Sequence, residues 1–219
     1  MKTKTLFIAV ILLLTASFAF CADAIIKSFT GKVEIQEQGT SAWKSVTKGQ
    51  KIATGAIIST GFNSNAVLDL GSSEIFIKPL TRISINELMQ QGSIVKTDLN
   101  LKLGKVTADV KTTEGLKNDF TLRTPVSTAA VRGTNFTAGV NSLQVNNGKV
   151  AYSNSIGQAR TVSGGSSSSV GTSTISAPLS AGEAAAQSFS VTTSVSGNAG
   201  KIVSRGGEGP SGKVLVEWR

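Results

Sequence analysis

The side chains in this chain that could do chemistry are carboxylates, lysines and arginines, because histidine is absent from all 219 residues. Without imidazole there is no Ser-His-Asp triad, no side chain that titrates unperturbed near neutral pH, and no ordinary zinc site. The carboxylates Asp69, Glu74, Glu87, Asp98, Asp109 and Glu114 are spread along the middle of the chain without a paired motif. Two of them could still meet in space as the acid and nucleophile of a glycosidase, a scheme this composition leaves open. No phosphate-binding loop and no Asp-rich calcium loop occurs. The single cysteine, Cys21, falls in a leader-like segment, so neither thiol catalysis nor disulfides are expected in the body of the chain. The expectation is a protein that is not an enzyme and holds no metal and no cofactor.

The cations point outward, to partners. Lysine and arginine number 22 against 13 acids, a formal charge of +9. In an exported protein such a balance suits anionic wall polymers or lipid head groups better than nucleic acid, although solubility alone also accounts for it. Lys44, Lys48 and Lys51 lie close together in sequence and are candidate polyanion-binding residues.

Export is read from the first 24 residues. Lys2 and Lys4 precede an unbroken apolar run from Leu6 to Leu14, and the small residues Thr15, Ala16, Ser17 and Ala19 follow. That order is the pattern of a secretory signal peptide. Cleavage after Cys21 and cleavage after Ala24 both fit a small-x-small rule, and the second is favoured because alanine fills both critical positions. A lipid anchor on Cys21 is disfavoured by the bulky Phe20 before it, and an uncleaved anchor by the short apolar stretch. Membrane contact is expected only through this segment, and residence in the periplasm or at the cell surface.

The elements that must position these side chains are strands. Period-two alternation recurs from residue 30 to residue 153. Val33 and Ile35 share one face, and Ile83 and Ile85 alternate with Arg82 and Ser84. Two apolar runs flank Gly71-Ser72-Ser73, a hairpin signal. Leu99, Leu101 and Leu103 run to Gly104, after which Val106, Ala108 and Val110 return. Leu143 and Val145 run into Asn146-Asn147-Gly148, after which Val150 and Tyr152 return. Both read as further tight hairpins, since Asn and Gly tolerate the positive φ that such turns need. The segment Ile85–Gln91 has room for one helical turn at most. Gly-Lys-Val recurs at residues 31, 104, 148 and 212, each time opening an alternating segment, at spacings too unequal for a solenoid. The expected architecture is all-β, a compact β-sandwich, with a β-roll or solenoid-like winding as the other form.

The domain reading is a signal peptide over 1–24, a β domain over 25–160, a Ser/Gly-rich loop and closing β segment over 161–195, and a Gly-rich tail over 196–219. Ser163 to Thr174 reads as a flexible loop by composition. Val214–Trp218 has strand character and either docks back or engages a partner.

On these residues the chain resembles the FecR domain family. Gly31-Lys32-Val33-Glu34 and the block Lys48 to Gly55 match its opening segments, and Phe120-Thr121-Leu122-Arg123-Thr124-Pro125 a later one. The most specific piece is Val131-Arg132-Gly133-Thr134-Asn135-Phe136, similar to a Val-Arg-Gly-Thr-x-Phe hallmark. The resemblance covers roughly residues 30 to 152. It implies a non-catalytic protein-interaction or envelope-binding domain, with an envelope protein or an anionic wall polymer as partner. In the regulator branch of the family the domain signals across a membrane to a sigma factor. That role would here need a separate transmembrane partner, since only about five residues precede the apolar run. The motif residues Thr124, Pro125, Val131, Arg132, Gly133, Thr134 and Phe136 are expected to be architectural. Pro125 suits a strand end, Val131 and Phe136 the core, and Arg132 a partly buried brace on carbonyls, with ligand binding as its alternative role.

Overall fold

The computed structural model describes residues 20–21, 24–171 and 174–180. Residues 1–19, the Gly-rich tail, the segment Val214–Trp218 and the fourth Gly-Lys-Val lie outside them. The chain forms two large packed sheets and, among the described residues, no helix; neither sheet closes into a barrel.

The chain changes sheet again and again as it runs. β1 (Phe20–Cys21) lies in a front sheet and β2 (Ala24–Thr30) in a back sheet. The front sheet then takes β3 (Val33–Gln36) and β4 (Lys44–Ser45), the back β5 (Lys51–Ile52), and the front β6 (Ile57–Thr60). β7 (Asn65–Asp69) and β8 (Ser73–Ile77) return to the back, and β9 (Arg82–Gln91) and β10 (Ile94–Leu103) to the front. β11 (Lys105–Val110) is in the back sheet, and β12 (Lys117–Arg123) and β13 (Ser127–Val131) are in the front. β14 (Thr134–Gly139) and β15 (Ser142–Asn147) are back, β16 (Lys149–Asn154) and β17 (Ala159–Ser163) front, β18 (Ser166–Ser169) and β19 (Leu179–Ser180) back. Across the front sheet the order is therefore β4-β3-β6-β9-β10-β12-β13-β16-β17, and across the back β5-β2-β7-β8-β11-β14-β15-β18-β19. The sandwich expectation holds, and it is assembled by a progressive winding.

Alternation places one apolar face of each sheet inward. Val33 and Ile35 of β3, Ile75 and Ile77 of β8, Val106 and Ala108 of β11, and Leu122 of β12 are all buried in one contiguous core. Burying such aliphatic side chains contributes roughly 1.5–3 kcal/mol each, which is how a chain poor in aromatics holds together. Ile85–Gln91 is not a helical turn. It is the second half of β9, where Ile85 and Leu88 meet the core across a bulge against β10.

Two expected hairpins are corners. Gly71 does close the β7–β8 hairpin. Gly104, however, carries the chain from β10 in the front sheet to β11 in the back, and Gly148 carries it from β15 to β16. A hairpin and a corner ask for the same Gly-rich composition. What separates them is where the next strand finds its hydrogen bonds, and that is decided by distant neighbours.

Each described Gly-Lys-Val is such a corner, and each has a hydroxyl seated on it. At Gly104, φ is +89° and a Cβ would fall on Thr81 Oγ1, 2.6 Å from Thr81 Cα and 2.7 Å from Leu80 O. The vacated space lets Thr81 Oγ1 accept from Lys105 N at 3.1 Å and donate to Lys105 O at 3.1 Å. Ser64 does the same at the first copy, accepting from Lys32 N at 2.8 Å. Thr134 does so at the third, donating to Lys149 O at 3.0 Å. Only glycine leaves room for the hydroxyl and accepts the left-handed backbone at once, which explains the repeat.

The Ser-rich stretch departs from expectation as well. Ser166–Ser169 is β18, antiparallel to β15 and β19. Its hydroxyls are satisfied locally: buried Ser168 donates to Ser176 O at 2.9 Å, and Ser169 N donates to Ser176 Oγ at 2.8 Å. Composition favours a flexible loop, but a sheet edge with free backbone groups supplies the pairing that serine alone does not.

Candidate functional site: a cationic cleft around Arg132

The hallmark segment forms the β13–β14 corner. Val131 is buried at the end of β13 against Phe120 and Val150 in register. Phe136 of β14 is fully buried and meets Phe120 of the facing sheet edge-on, with centroids 6.1 Å apart and planes at 74°. That pair pins the two sheets together directly behind the corner. Gly133, at φ +76°, leaves space taken by the Thr112 hydroxyl, and buried Thr134 holds the neighbouring corner through Lys149.

Thr124 is a second fastener, at the opposite end of the sandwich. Its Oγ1 donates to Val140 O at 2.7 Å and accepts from Ser127 N at 2.9 Å, tying the β12–β13 turn to the β14–β15 turn of the other sheet. Pro125 is exposed at the head of that turn, as its fixed φ suits.

Arg132 is not a brace. Its side chain is exposed and makes no hydrogen bond or ion pair with any described residue. At this corner the Lys149 carbonyl is already held by the shorter Thr134 hydroxyl. Arg132 stands instead between two hollows. One is an open cleft of about 610 Å3 lined by Asp119, Ala130, Gly148, Lys149, Ala151 and Thr161. The other, about 200 Å3, is lined by Lys111, Thr112, Leu116, Lys117 and Asn118. Lys111, Lys117, Arg132 and Lys149 are all exposed, and none pairs with a described acid. The acids nearby are Glu114, in the loop after β11, and Asp119, which lies in register beside Lys96. Asn118 is buried with its Oδ1 unpartnered while its amide donates to Lys111 O. Cations at the rim and a buried acceptor beneath suit a ligand bearing carboxylate together with an N–H donor, as a peptide segment does.

Residues 56–151 match the family model described as FecR protein. Over that segment the chain is similar to the FecR domain. The match includes the whole Arg132 corner, Thr124 and Pro125, but not Lys44, Lys48 or Lys51. Among curated proteins, none matches. Two crystal structures of a candidate anti-sigma factor from Parabacteroides distasonis resemble the chain, each with 16% identity and a TM-score of 0.46. Each match covers 61% of this chain and under two-thirds of the neighbour, 65% in one and 64% in the other.

The other singled-out residues are placed as follows. Lys44 sits on edge strand β4 and is engaged by Glu37 at 3.1 Å, Lys51 lies on edge strand β5, and Lys48 is exposed between them. They share one flank of the sandwich. Of the six carboxylates, the back sheet brings Asp69, Glu74 and Asp109 side by side in register, a row the sequence does not announce. Glu74 is taken by Lys27 at 2.6 Å, whose ammonium that hydrogen bond and charge hold above the ordinary lysine range. Asp109 accepts from Asn135 at 3.3 Å. On the front sheet Asp98 accepts from Arg123 Nε at 2.8 Å, and Glu87 pairs with Lys96 at 2.8 Å.

Proposed function

We propose that the chain is an exported, non-catalytic binding module of FecR type that presents the cleft around Arg132 to an envelope protein. The observation that carries this reading is a set of four exposed cations without ion pairs among the described residues, around one corner of the FecR-like segment. On other parts of the sheets Lys27, Lys32, Lys44 and Lys96 are paired with acids, whereas at this corner no such pair forms among the described residues and the cations line a cleft. Four unpaired cations at one concave place are what an acidic partner would complement. A non-catalytic role is supported by the missing histidine and by the engagement of Glu74, Glu87, Asp98 and Asp109 with lysine, arginine or asparagine. A wall polymer held through Lys44, Lys48 and Lys51 has less support, because Lys44 already has its acid.

The test is a photoreactive residue at position 161, on the cleft wall, in the exported protein. One discrete crosslinked species, lost on Arg132→Glu, is expected. Heterogeneous wall-bound material, or crosslinking indifferent to Arg132→Glu, would overturn the reading. Turnover of a glycan by the purified protein would do so too.

For the leader, the structure supplies a reason to prefer cleavage after Cys21. Ala24 is fully buried, opens β2 and pairs with Ile52, so cleavage after it would set a new charged amino terminus on Ile25 at that sheet edge. Intact-mass measurement of the exported protein distinguishes the two products.

A further inference from the structure

At the end of the sandwich opposite Arg132, three turns carry large apolar side chains into solvent. Phe62 is 76% exposed, Leu80 54% and Leu103 60%. The turns form one surface, because hydrogen bonds join them. Leu80 N donates to Gly61 O at 3.2 Å, Lys78 N to Lys105 O at 3.1 Å, and Gly61 N to Lys32 O at 2.9 Å. Thr81, next to Leu80, is the hydroxyl seated on the Gly104 corner beside Leu103.

Leu80 is the informative member. It stands at φ +54° after Pro79, in the left-handed region that favours glycine or asparagine. Its side chain is more than half in solvent there. A strained backbone holding an exposed leucine has no return inside the molecule, and strain of that kind collects where a surface is used.

The charges around the knobs are of one sign. Lys32, Lys78, Lys102 and Lys105 are exposed around these turns, and among the described residues only Lys32 has an acid, Glu34 at 3.2 Å. None of the turns at 31–32, 61–64, 78–81 and 103–105 contains a carboxylate. A second copy of the chain docked face to face would set these lysines against their equivalents. The knobs are convex and borne on separate turns, so a rigid partner would need a matching hole for each, whereas lipid acyl chains admit them individually.

We propose that this end is a lipid-contact tip, with Phe62, Leu80 and Leu103 entering an anionic bilayer and the lysines resting on its head-group phosphates. It is a membrane contact separate from the leader, and independent of the Arg132 reading.

The experiment uses the full chain with vesicles of equal parts phosphatidylcholine and phosphatidylglycerol, and with phosphatidylcholine alone. A polarity-sensitive fluorophore is placed on Leu103→Cys in a Cys21→Ser background, so that the signal is local and the N-terminal apolar run cannot mimic it. A blue shift with the anionic vesicles, quenched by nitroxide-bearing lipid and weakened by salt, is expected. Leu80→Asn, which suits the backbone, and Phe62→Ser should each weaken the partition at least about tenfold, the scale of one apolar side chain, with melting temperature unchanged or higher. No blue shift with anionic vesicles overturns the proposal, as does a partition indifferent to Leu80→Asn and Phe62→Ser. Concentration-dependent dimers abolished by those variants, or a complex with an acidic soluble protein abolished by them in the absence of any vesicle binding, would assign the surface to protein and overturn it equally.

Discussion

The two ends of the sandwich are built by one device and carry opposite shapes. Around Gly31 and Gly104 the corners push apolar side chains and lysines outward into a convex tip. Around Gly133 and Gly148 the same kind of corner leaves a concave cleft with cations at its rim. In both places a hydroxyl from another turn fills the space a Cβ would take. The corner is therefore a neutral joint, and the chemistry belongs to the residues set between joints. Thr81 and Thr134 do the same work, while Leu80 and Arg132, their neighbours, have nothing to do inside the fold.

The largest test of that separation is at the cleft end. Phe136→Ala removes the aromatic pin between the sheets and should destabilise the protein by about 3–5 kcal/mol in urea unfolding. A smaller loss would mean the cleft end is not held by its core. Next comes the joint itself. Gly104→Ala meets both the left-handed backbone and the Thr81 backbone, and a loss of roughly 2–4 kcal/mol is expected from strain and overpacking combined. Gly71→Ala, in a hairpin turn at φ +80° with nothing near the new methyl, should lose only about 1 kcal/mol. Equal losses would deny that corners differ from hairpins.

The exposed neighbours should behave in the contrary sense. Arg132→Ala is expected to leave stability within about 0.5 kcal/mol while abolishing the crosslink from position 161. Leu80→Asn should raise stability by up to about 1 kcal/mol by relieving the left-handed leucine, measured by the same unfolding. A destabilised Arg132→Ala would restore the bracing role and erase the contrast between joint and surface.

The smallest effect concerns Tyr152, the chain's single tyrosine, buried with its hydroxyl unpartnered. Burial raises its pKa above the usual phenol value, a nearby Ser127 hydroxyl offsetting part of the rise. A raised pKa leaves its contribution intact below the unfolded-state value near 10. Above that pH the unfolded chain releases the proton first, so stability falls until the folded phenol also ionises. Tyrosinate absorbance should therefore appear at higher pH in the native protein than in urea, and Tyr152→Phe should flatten the alkaline slope. Lys27 and Lys96, both raised by their glutamates, leave a residual slope of the same sign.

The strands were legible in the sequence because alternation is a local signal. Val33, Ile35, Val106, Ala108 and Val150 are inward where period two puts them. The corners were not legible, because Leu103-Gly104-Lys105 reads like any Gly turn until Thr81 is known to sit on it. The Ser166–Ser169 strand was hidden for a related reason, since its hydroxyl partner, Ser176, is brought to it by the fold. At the site, Thr124, Thr134 and Phe136 do structural work that their types allow. The exposure of Arg132 is not legible, because a guanidinium's capacity to brace carbonyls says nothing about whether a neighbouring threonine, here Thr134, has taken the carbonyl first. The tip had one local clue, a leucine after Pro79 where a turn asks for glycine or asparagine.

The order of strands across both sheets follows the order of the chain almost throughout. From β6 onward, each strand added to either sheet extends an edge completed moments earlier in the sequence. Even the parallel pair β10 and β12 is separated only by β11. Sequence-near contacts favour fast assembly. A polypeptide delivered with its amino terminus first could close like a zipper as it emerges, without waiting for its carboxyl end. Apart from the flank of β4 and β5, the exposed edge at any moment would be the growing front of the two sheets, leaving little time for it to recruit a neighbouring molecule instead.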